Sequence, residues 1–395
     1  MLPLFLIFVL IIILIRIKAP IGLALLGAAI FLGIYHFGIH KDFWLLIYHS
    51  LIDLTAWKLI ATVSLILTFA YIFESAGFVD SMVSSLESFL SPRWVARAGP
   101  AIIGLLPMPG GAMVSAPIVR KIGEGSDVTP EQFTAANYWW RHIWETSWPL
   151  YPSIILAAAV LNVSVWDVTM INFPISLACI ATGFLLKQIG SPEKSANKPN
   201  IISLIKSLWP ILFVVILGLG FRVDILISVM FVTIVVIIAQ RIPKRMVFDS
   251  LKKGFEPSVV ALIFGVMTLM AAIEKTGVAA EFYQQLLYYH IPSSVVVFAV
   301  PFTVGLLTGV TSAYIGVGFP VVAPLLGTPG LSQSAGLLLA FTGGFMGVMA
   351  SPVHLCLVLT NQYFKASLAK TISLLIVPII LTSILSWVLA MIVYH

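Results

Sequence analysis

Long apolar runs follow one another along almost the whole chain, separated by short polar breaks. A helix that crosses a bilayer needs roughly 20 apolar residues at about 1.5 Å each. Runs of this kind predict about ten transmembrane helices, at 2–17, 20–38, 56–75, 131–162, 166–187, 206–221, 224–240, 257–275, 331–361 and 371–394.

Two further apolar segments, 94–122 and 293–328, do not fit this pattern because Pro, Gly, Ser or Thr interrupts each near its middle. The first arm of the earlier segment would be only about 18 Å long as a helix, whereas the hydrocarbon core is about 30 Å thick. Irregular backbone at membrane depth is tolerated only where protein or a watery cavity surrounds it. We therefore expect two re-entrant hairpins.

Composition supports an all-α polytopic membrane protein. Hydrophobic residues make up 60% of the chain and charged residues only 10%, whereas a soluble domain carries about 25% charged residues. The net charge of +6 therefore does not indicate a nucleic-acid partner. The informative property is the position of each charge relative to the lipid bilayer.

The positions of the 22 lysines and arginines predict an orientation. If the turn that holds Arg16 and Lys18 is cytoplasmic, most of these residues fall inside, as the positive-inside rule requires. The residues left outside are Lys41, Lys58, Arg222 and Lys275, while Arg141 lies within a span. This predicts a multi-pass protein of the cytoplasmic membrane with both termini outside.

The second half of the sequence repeats the first. The matches keep their order and nearly their spacing: Ser50 with Ser250, Gly77 with Gly277, Pro92 with Pro292, Gly104 with Gly305, Pro149 with Pro352, and Pro174 with Pro378. An odd number of predicted spans separates Glu74 from Glu274, so the copies should cross the membrane in opposite senses. We expect an N-terminal repeat at 1–190, a polar cytoplasmic linker at 191–200 and a C-terminal inverted repeat at 201–395.

Each repeat contains a hairpin followed by a long span with its own break, at 131–162 and 331–361. Proline removes a backbone donor and glycine permits close backbone approach, so backbone groups become available at mid-membrane. Helix N-termini suit an anion, and helix C-termini offer carbonyls to Na⁺. The tips and breaks should converge near Pro109, Pro149, Thr311 and Pro352.

This pattern supplies the candidate site residues. For substrate binding they are Pro109, Gly110, Gly111, Arg141, Ser147, Thr311, Ser312, Ser351 and His354. For ion or proton coupling they are Ser115, Glu145, Thr146, Thr308, Gly309 and Ser351. We expect no cofactor, and no metal other than Na⁺ as a coupling ion.

Several alternatives remain open at this point. Arg141 and Glu145 are four residues apart and could form a structural ion pair; otherwise Arg141 binds an anionic substrate or Glu145 carries a proton. His142 and His354 are candidates for titration near neutral pH or for a hydrogen-bonded structural role. The two cysteines, Cys179 and Cys356, are interpreted as packing residues rather than a disulfide or metal pair.

The sequence lacks motifs for ATP-driven transport and for common enzymes. It has no Gly-x-x-x-x-Gly-Lys-Ser/Thr loop, no His-Glu-x-x-His array and no Gly-x-Ser-x-Gly elbow. We therefore expect that the protein is not an enzyme.

The hairpin tip Gly-Leu-Leu-Pro-Met-Pro-Gly-Gly-Ala at 104–112 and the break Ser-Pro-Val-His at 351–354 carry a family resemblance. The layout resembles the ion transporter superfamily of gluconate permeases and of citrate and dicarboxylate carriers, and most closely an uncharacterised integral membrane family within it. The resemblance implies a homodimer, an elevator-like motion and Na⁺ or H⁺ coupling to an anionic substrate. Dicarboxylate carriers place Ser-Asn-Thr at each tip; here the tips read Pro-Met-Pro-Gly-Gly and Thr-Gly-Val-Thr-Ser.

Taken together, these features favour a secondary active transporter. The leading hypothesis is symport of a small carboxylate-type anion with Na⁺ or H⁺ by alternating access. The alternative is a cation/proton antiporter in which Glu145 or a histidine carries the proton.

Overall fold

The computed structural model describes residues 2–108, 110–193 and 201–394, and the regular structure in these residues is helical. This confirms the predicted all-α fold. The helices of the first half are Leu2–Arg16, Ile21–Phe37, Lys41–Ile52, Leu54–Ser75, Phe78–Phe89, Pro92–Ile103, Gly111–Ile122, Pro130–His142, Pro152–Val160 and Val165–Gly183.

The second half presents its helices in the same order. They are Ile201–Val215 with a π-helical extension Ile216–Gly220, then Ile225–Ala239, Lys244–Gly254, Pro257–Thr276, Val278–Tyr288, Ser293–Thr308, Thr311–Leu325, Gln333–Ala350, Leu355–Phe364 and Leu368–Ile392. Each helix therefore has a counterpart in the other half. Residues 194–200 of the predicted linker lie outside the described residues.

Among the described residues, 6 helical segments are long and apolar enough to cross a membrane. They are Lys41–Ser75, Val165–Gly183, Ile202–Gly220, Lys244–Thr276, Gln333–Phe364 and Leu368–Ile392. The predicted spans 2–17, 20–38 and 224–240 form shorter apolar helices, and 131–162 forms a helix in two pieces. The orientation of the two halves across the bilayer stays a prediction.

Four short helices were not predicted: Lys41–Ile52, Phe78–Phe89, Lys244–Gly254 and Val278–Tyr288. Each carries charged residues and spans only 11 or 12 residues, so a search for long apolar runs passes over it. They lie at equivalent places in the helix order of the two halves.

Both predicted hairpins are present. Hairpin 1 consists of the helices Pro92–Ile103 and Gly111–Ile122, and hairpin 2 consists of Ser293–Thr308 and Thr311–Leu325. The second arm of hairpin 2 is irregular and includes a π-helical stretch, Tyr314–Gly318. Each hairpin packs against the broken helix of its own half.

Both predicted broken helices are also present. Broken helix 1 consists of Pro130–His142 and Pro152–Val160, and broken helix 2 consists of Gln333–Ala350 and Leu355–Phe364. Both pieces of broken helix 1 begin at a proline, which suits the first helical turn because its missing N–H would have no partner there. The breaks therefore place non-helical backbone at 143–151 and 351–354.

The two halves are interleaved rather than separate. Helix Ile21–Phe37 of the first half packs closely on Pro257–Thr276 of the second, where Gly22 and Gly265 leave no room for a Cβ atom. The last helices of the halves meet as well, since the Thr182 and Thr382 hydroxyl oxygens are 2.8 Å apart. This packing brings the broken helices and hairpins of both halves to one place.

Candidate functional site

Both hairpin tips and both breaks meet at one cavity of about 300 Å³. The residues that line it from these regions are Pro107, Met108, Gly110, Arg141, Glu145, Tyr151, Pro152, Ser153, Gly309, Val310, Thr311, Ser312, His354, Leu355 and Cys356. The structure thus joins the regions that the sequence pattern singled out. Pro109 itself lies outside the described residues.

Four helical pieces begin at this cavity. Residues at or beside their starts, Gly110, Pro152, Thr311 and Leu355, all line the wall. The glycines at the two hairpin tips, Gly110 and Gly309, have φ values of 70° and 63°, which a residue with a side chain rarely adopts. Because helix N-termini carry free N–H groups and partial positive charge, the cavity is suited to a negatively charged group.

Arg141 is the fixed positive charge of the cavity, and only 2% of its surface is exposed. Its Nη1 donates to the Tyr151 hydroxyl at 2.8 Å, and its Nη2 donates to the carbonyls of Leu106 at 3.2 Å and Met108 at 3.4 Å. Its Nε has no hydrogen-bond partner among the described residues. The guanidinium is thus anchored by three hydrogen bonds, and its Nε is buried without a partner in the described part of the chain.

The structure does not show the ion pair considered for Arg141 and Glu145. Within the described residues, neither takes part in a salt bridge. The helix ends at His142, so the four-residue helical spacing no longer applies at Glu145. The Glu145 carboxylate instead accepts a hydrogen bond from the Thr311 hydroxyl of hairpin 2 at 3.4 Å.

Side chains from the breaks bind the carbonyls at the ends of the first hairpin arms. In the first half, the Tyr151 hydroxyl donates to Gly104 O at 2.7 Å. In the second half, the Ser351 hydroxyl donates to Leu306 O at 2.7 Å. These carbonyls already have protein donors, whereas the sequence pattern suggested that they would be available to Na⁺.

A close contact is also present at another predicted position, Gly111. A Cβ atom on Gly111 would lie 2.6 Å from Arg141 Nη2. The first turn of the helix Gly111–Ile122 therefore lies directly against the guanidinium, and the two positive groups are brought together.

The other predicted hydroxyl residues do not line the cavity. Ser115 and Thr308 donate to carbonyls of their own helices, Ala112 O at 3.2 Å and Val304 O at 2.7 Å. Ser147 and Thr146 both face Ser176, at 2.7 and 3.4 Å between hydroxyl oxygens. Their assignment to substrate or ion binding stays a prediction.

Sequence reasoning missed Ser153, Tyr151 and Cys356. Ser153 is only 3% exposed, lines the cavity, and its hydroxyl has no partner among the described residues. The sequence feature that could have identified Ser153 is its position at the start of a half-helix, directly after the break and Pro152. Tyr151 lines the cavity and accepts a hydrogen bond from Arg141. Cys356 also lines the cavity, but its sequence context is that of an ordinary apolar packing residue.

A cluster of nitrogen and sulfur atoms lies beside the cavity. The Nε2 atoms of His142 and His354 are 3.3 Å apart, and together with Cys356 Sγ the three potential ligand atoms lie within 4.8 Å of one another. Two of these residues come from broken helix 2 and one from broken helix 1, so the cluster joins the two halves.

Comparison with known proteins supports the fold and identifies the family. The crystal structure of the Alcanivorax borkumensis YdaH transporter, reported to have an unusual topology, is similar to this chain with a TM-score of 0.68 and 14% identity, covering 98% of this chain and 97% of that chain. No curated protein matches the sequence. The family model described as "Protein of unknown function (DUF401)" matches residues 1–393, and the chain therefore belongs to the DUF401 family.

Proposed function

We propose that the chain is a secondary active transporter that carries a small carboxylate-type anion across the cytoplasmic membrane, coupled to H⁺ or Na⁺. The observation that carries this proposal is Arg141, a buried guanidinium at the cavity with no salt-bridge partner among the described residues. The resemblance to the ion transporter superfamily, and the fold shared with a protein described as a transporter, support the same conclusion.

The energetics of Arg141 favour an anionic ligand. Burying a charge costs several kcal/mol, and an anion that binds the guanidinium directly would offset more of that cost than Glu145, which lines the same cavity but forms no direct ion pair with Arg141. Arginine is suited to anions because its charge is permanent and weakly hydrated, and its Nε is the donor here that has no partner among the described residues. The helix start at Gly111 and the free Ser153 hydroxyl add donors beside it, and about 300 Å³ accommodates a small organic acid.

Alternating access follows from the repeated architecture. Two halves with the same helix order, if they cross the membrane in opposite senses as the sequence predicts, can exchange conformations around a fixed site. The contact of Glu145 with Thr311 and that of His142 with His354 join the halves at the cavity. We propose that these contacts break and re-form during transport, and that the protein works as a homodimer as its resemblance implies.

The geometry favours H⁺ over Na⁺ as the coupling ion. The carbonyls at the ends of the first hairpin arms already accept hydrogen bonds from Tyr151 and Ser351, whereas Glu145 is a buried carboxylate held by one hydroxyl at 3.4 Å. The same carboxylate supports the second candidate function, a cation/proton antiporter with Glu145 as the proton carrier.

Glu145→Gln distinguishes these two functions. In an anion symporter, the variant should lose the stimulation of uptake by a pH gradient but still exchange substrate across the membrane, because the anion site remains. In an antiporter, it should lose all exchange. Substrate counterflow and pH-driven uptake in proteoliposomes measure the difference, and Glu274→Gln, at an exposed glutamate, is the matched control.

Ligand-induced thermal stabilisation tests the proposed anion directly. Purified protein is heated with mono-, di- and tricarboxylates at constant ionic strength, since a ligand that binds only the folded state raises its stability by RT ln(1 + [L]/Kd). We expect at least one carboxylate to raise the Tm saturably in the wild type and not in Arg141→Lys. Stabilisation by cations alone would support the antiporter instead.

A further inference from the structure

We propose that His142, His354 and Cys356 form a binding site for one transition-metal ion of the Zn²⁺ type at the wall of the cavity. The cluster is not needed for anion binding by Arg141, and its test requires no transported substrate. The outcome of that test is therefore independent of the proposed function.

The hydrogen bonds of the two rings leave both Nε2 atoms without a proton. His142 Nδ1 lies 2.6 Å from Tyr138 O, and His354 Nδ1 lies 2.6 Å from Gly309 O. A carbonyl can only accept, so each Nδ1 carries the hydrogen, and a neutral imidazole has only one. The two Nε2 lone pairs then meet at 3.3 Å. A proton or a metal cation between them would make this contact favourable.

The spacing suits a tetrahedral metal ion. With Zn–N bonds of about 2.0–2.1 Å, two nitrogens on one tetrahedral ion lie about 3.3 Å apart, which matches the observed 3.3 Å between the Nε2 atoms. A Zn–S bond of about 2.3 Å places sulfur about 3.6 Å from each nitrogen. Because the ligand atoms already lie within 4.8 Å of one another, Cys356 Sγ needs to move by less than about 2 Å.

The surroundings also resemble those of metal sites. Metal-binding histidines usually donate their second ring N–H to a carbonyl or carboxylate, which fixes the tautomer and the orientation; both rings here do so. A thiolate with two imidazoles favours Zn²⁺ or copper over Mg²⁺ or Ca²⁺. His354 and Cys356 line the cavity, so the fourth coordination position is open to water, to Glu145 or to a bound carboxylate.

A bound ion would tie the two halves together. His142 belongs to broken helix 1, whereas Cys356 belongs to broken helix 2 and His354 lies in its break. If the halves move relative to each other, Zn²⁺ at this site should hold the protein in one conformation.

Cobalt spectroscopy of the full-length, tag-free protein in detergent tests the site. After treatment with a chelator, we expect one Co²⁺ per chain to give the intense visible bands of tetrahedral cobalt and a thiolate-to-cobalt charge-transfer band, both removed by Zn²⁺. Cys356→Ser should lose the charge-transfer band and weaken Co²⁺ binding by at least about tenfold. Mutation of a residue that only supports a metal ligand already lowers metal affinity by about that factor.

Cys179→Ser is the matched control, because Cys179 is the other buried cysteine and is not part of the cluster. This variant should bind Co²⁺ as the wild type does. Size-exclusion profiles would establish that both variants are folded. The proposal is overturned if the wild type shows no stoichiometric cobalt bands, or if Cys356→Ser retains them unchanged; a proton shared by the histidines would then explain their contact.

Discussion

Replacing Arg141 by lysine should lower carboxylate uptake by roughly tenfold to a hundredfold. Lysine keeps the charge but cannot reproduce the fork that binds the Tyr151 hydroxyl and the carbonyls of Leu106 and Met108. A hydrogen bond to a charged group is worth about 1.5–3 kcal/mol, and about 1.4 kcal/mol corresponds to a factor of ten. Initial uptake rates in proteoliposomes, normalised to the amount of protein, measure the loss.

Arg97→Lys is the matched control for a buried arginine. Arg97 is 7% exposed and packs against the rings of Trp94, Trp140 and Phe184, away from the cavity lining. Its replacement should leave the substrate affinity unchanged even if stability falls. Wild-type uptake by Arg141→Lys would show that the guanidinium fork is not needed for substrate binding.

Gly343→Ala should destabilise the protein by about 3 kcal/mol, at the upper end of ordinary overpacking. A Cβ atom on Gly343 would lie 2.2 Å from Phe298 O, a backbone atom of the first arm of hairpin 2. Helix backbones that approach so closely depend on glycine. The hairpin and broken helix 2 would have to separate, with loss of the packing that positions the cavity.

Thermal unfolding in detergent measures this effect, and we expect the Tm to fall by several degrees. Gly27→Ala is the control, because its added Cβ would meet only Leu14 Cδ1 at 3.6 Å, an ordinary contact. That change should be neutral or slightly stabilising, since alanine favours helix. Equal Tm values for the two variants would contradict the close packing at Gly343.

The discontinuous helices were predictable because their signal is local. Pro and Gly in the middle of an apolar run mark a place where a membrane helix cannot continue, and Pro149 and Pro352 do lie in the two breaks. The repeat made each assignment support the other. The short helices such as Lys244–Gly254 were missed because charges at Lys252 and Lys253 interrupt the apolar pattern that was used to find spans.

The site was predictable only in part, because residues near a break no longer follow the helical period. Arg141 and His354 stood out as polar groups within spans, and both line the cavity. The direction of Ser147 could not be inferred, and its hydroxyl faces Ser176 instead. Ser153 and Cys356 lie at the site because segments that are distant in sequence pack together. The sequence alone does not show that packing.

Gradient-driven uptake tests the central claim most directly. Purified protein in proteoliposomes is given labelled carboxylates with an imposed pH gradient, an imposed Na⁺ gradient, both or neither. We predict saturable uptake of at least one carboxylate above its equilibrium level under a pH gradient, abolished when the gradient is collapsed and strongly reduced in Arg141→Lys. If no carboxylate accumulates under either gradient while cation/proton exchange proceeds, the protein is not an anion transporter and the account is contradicted.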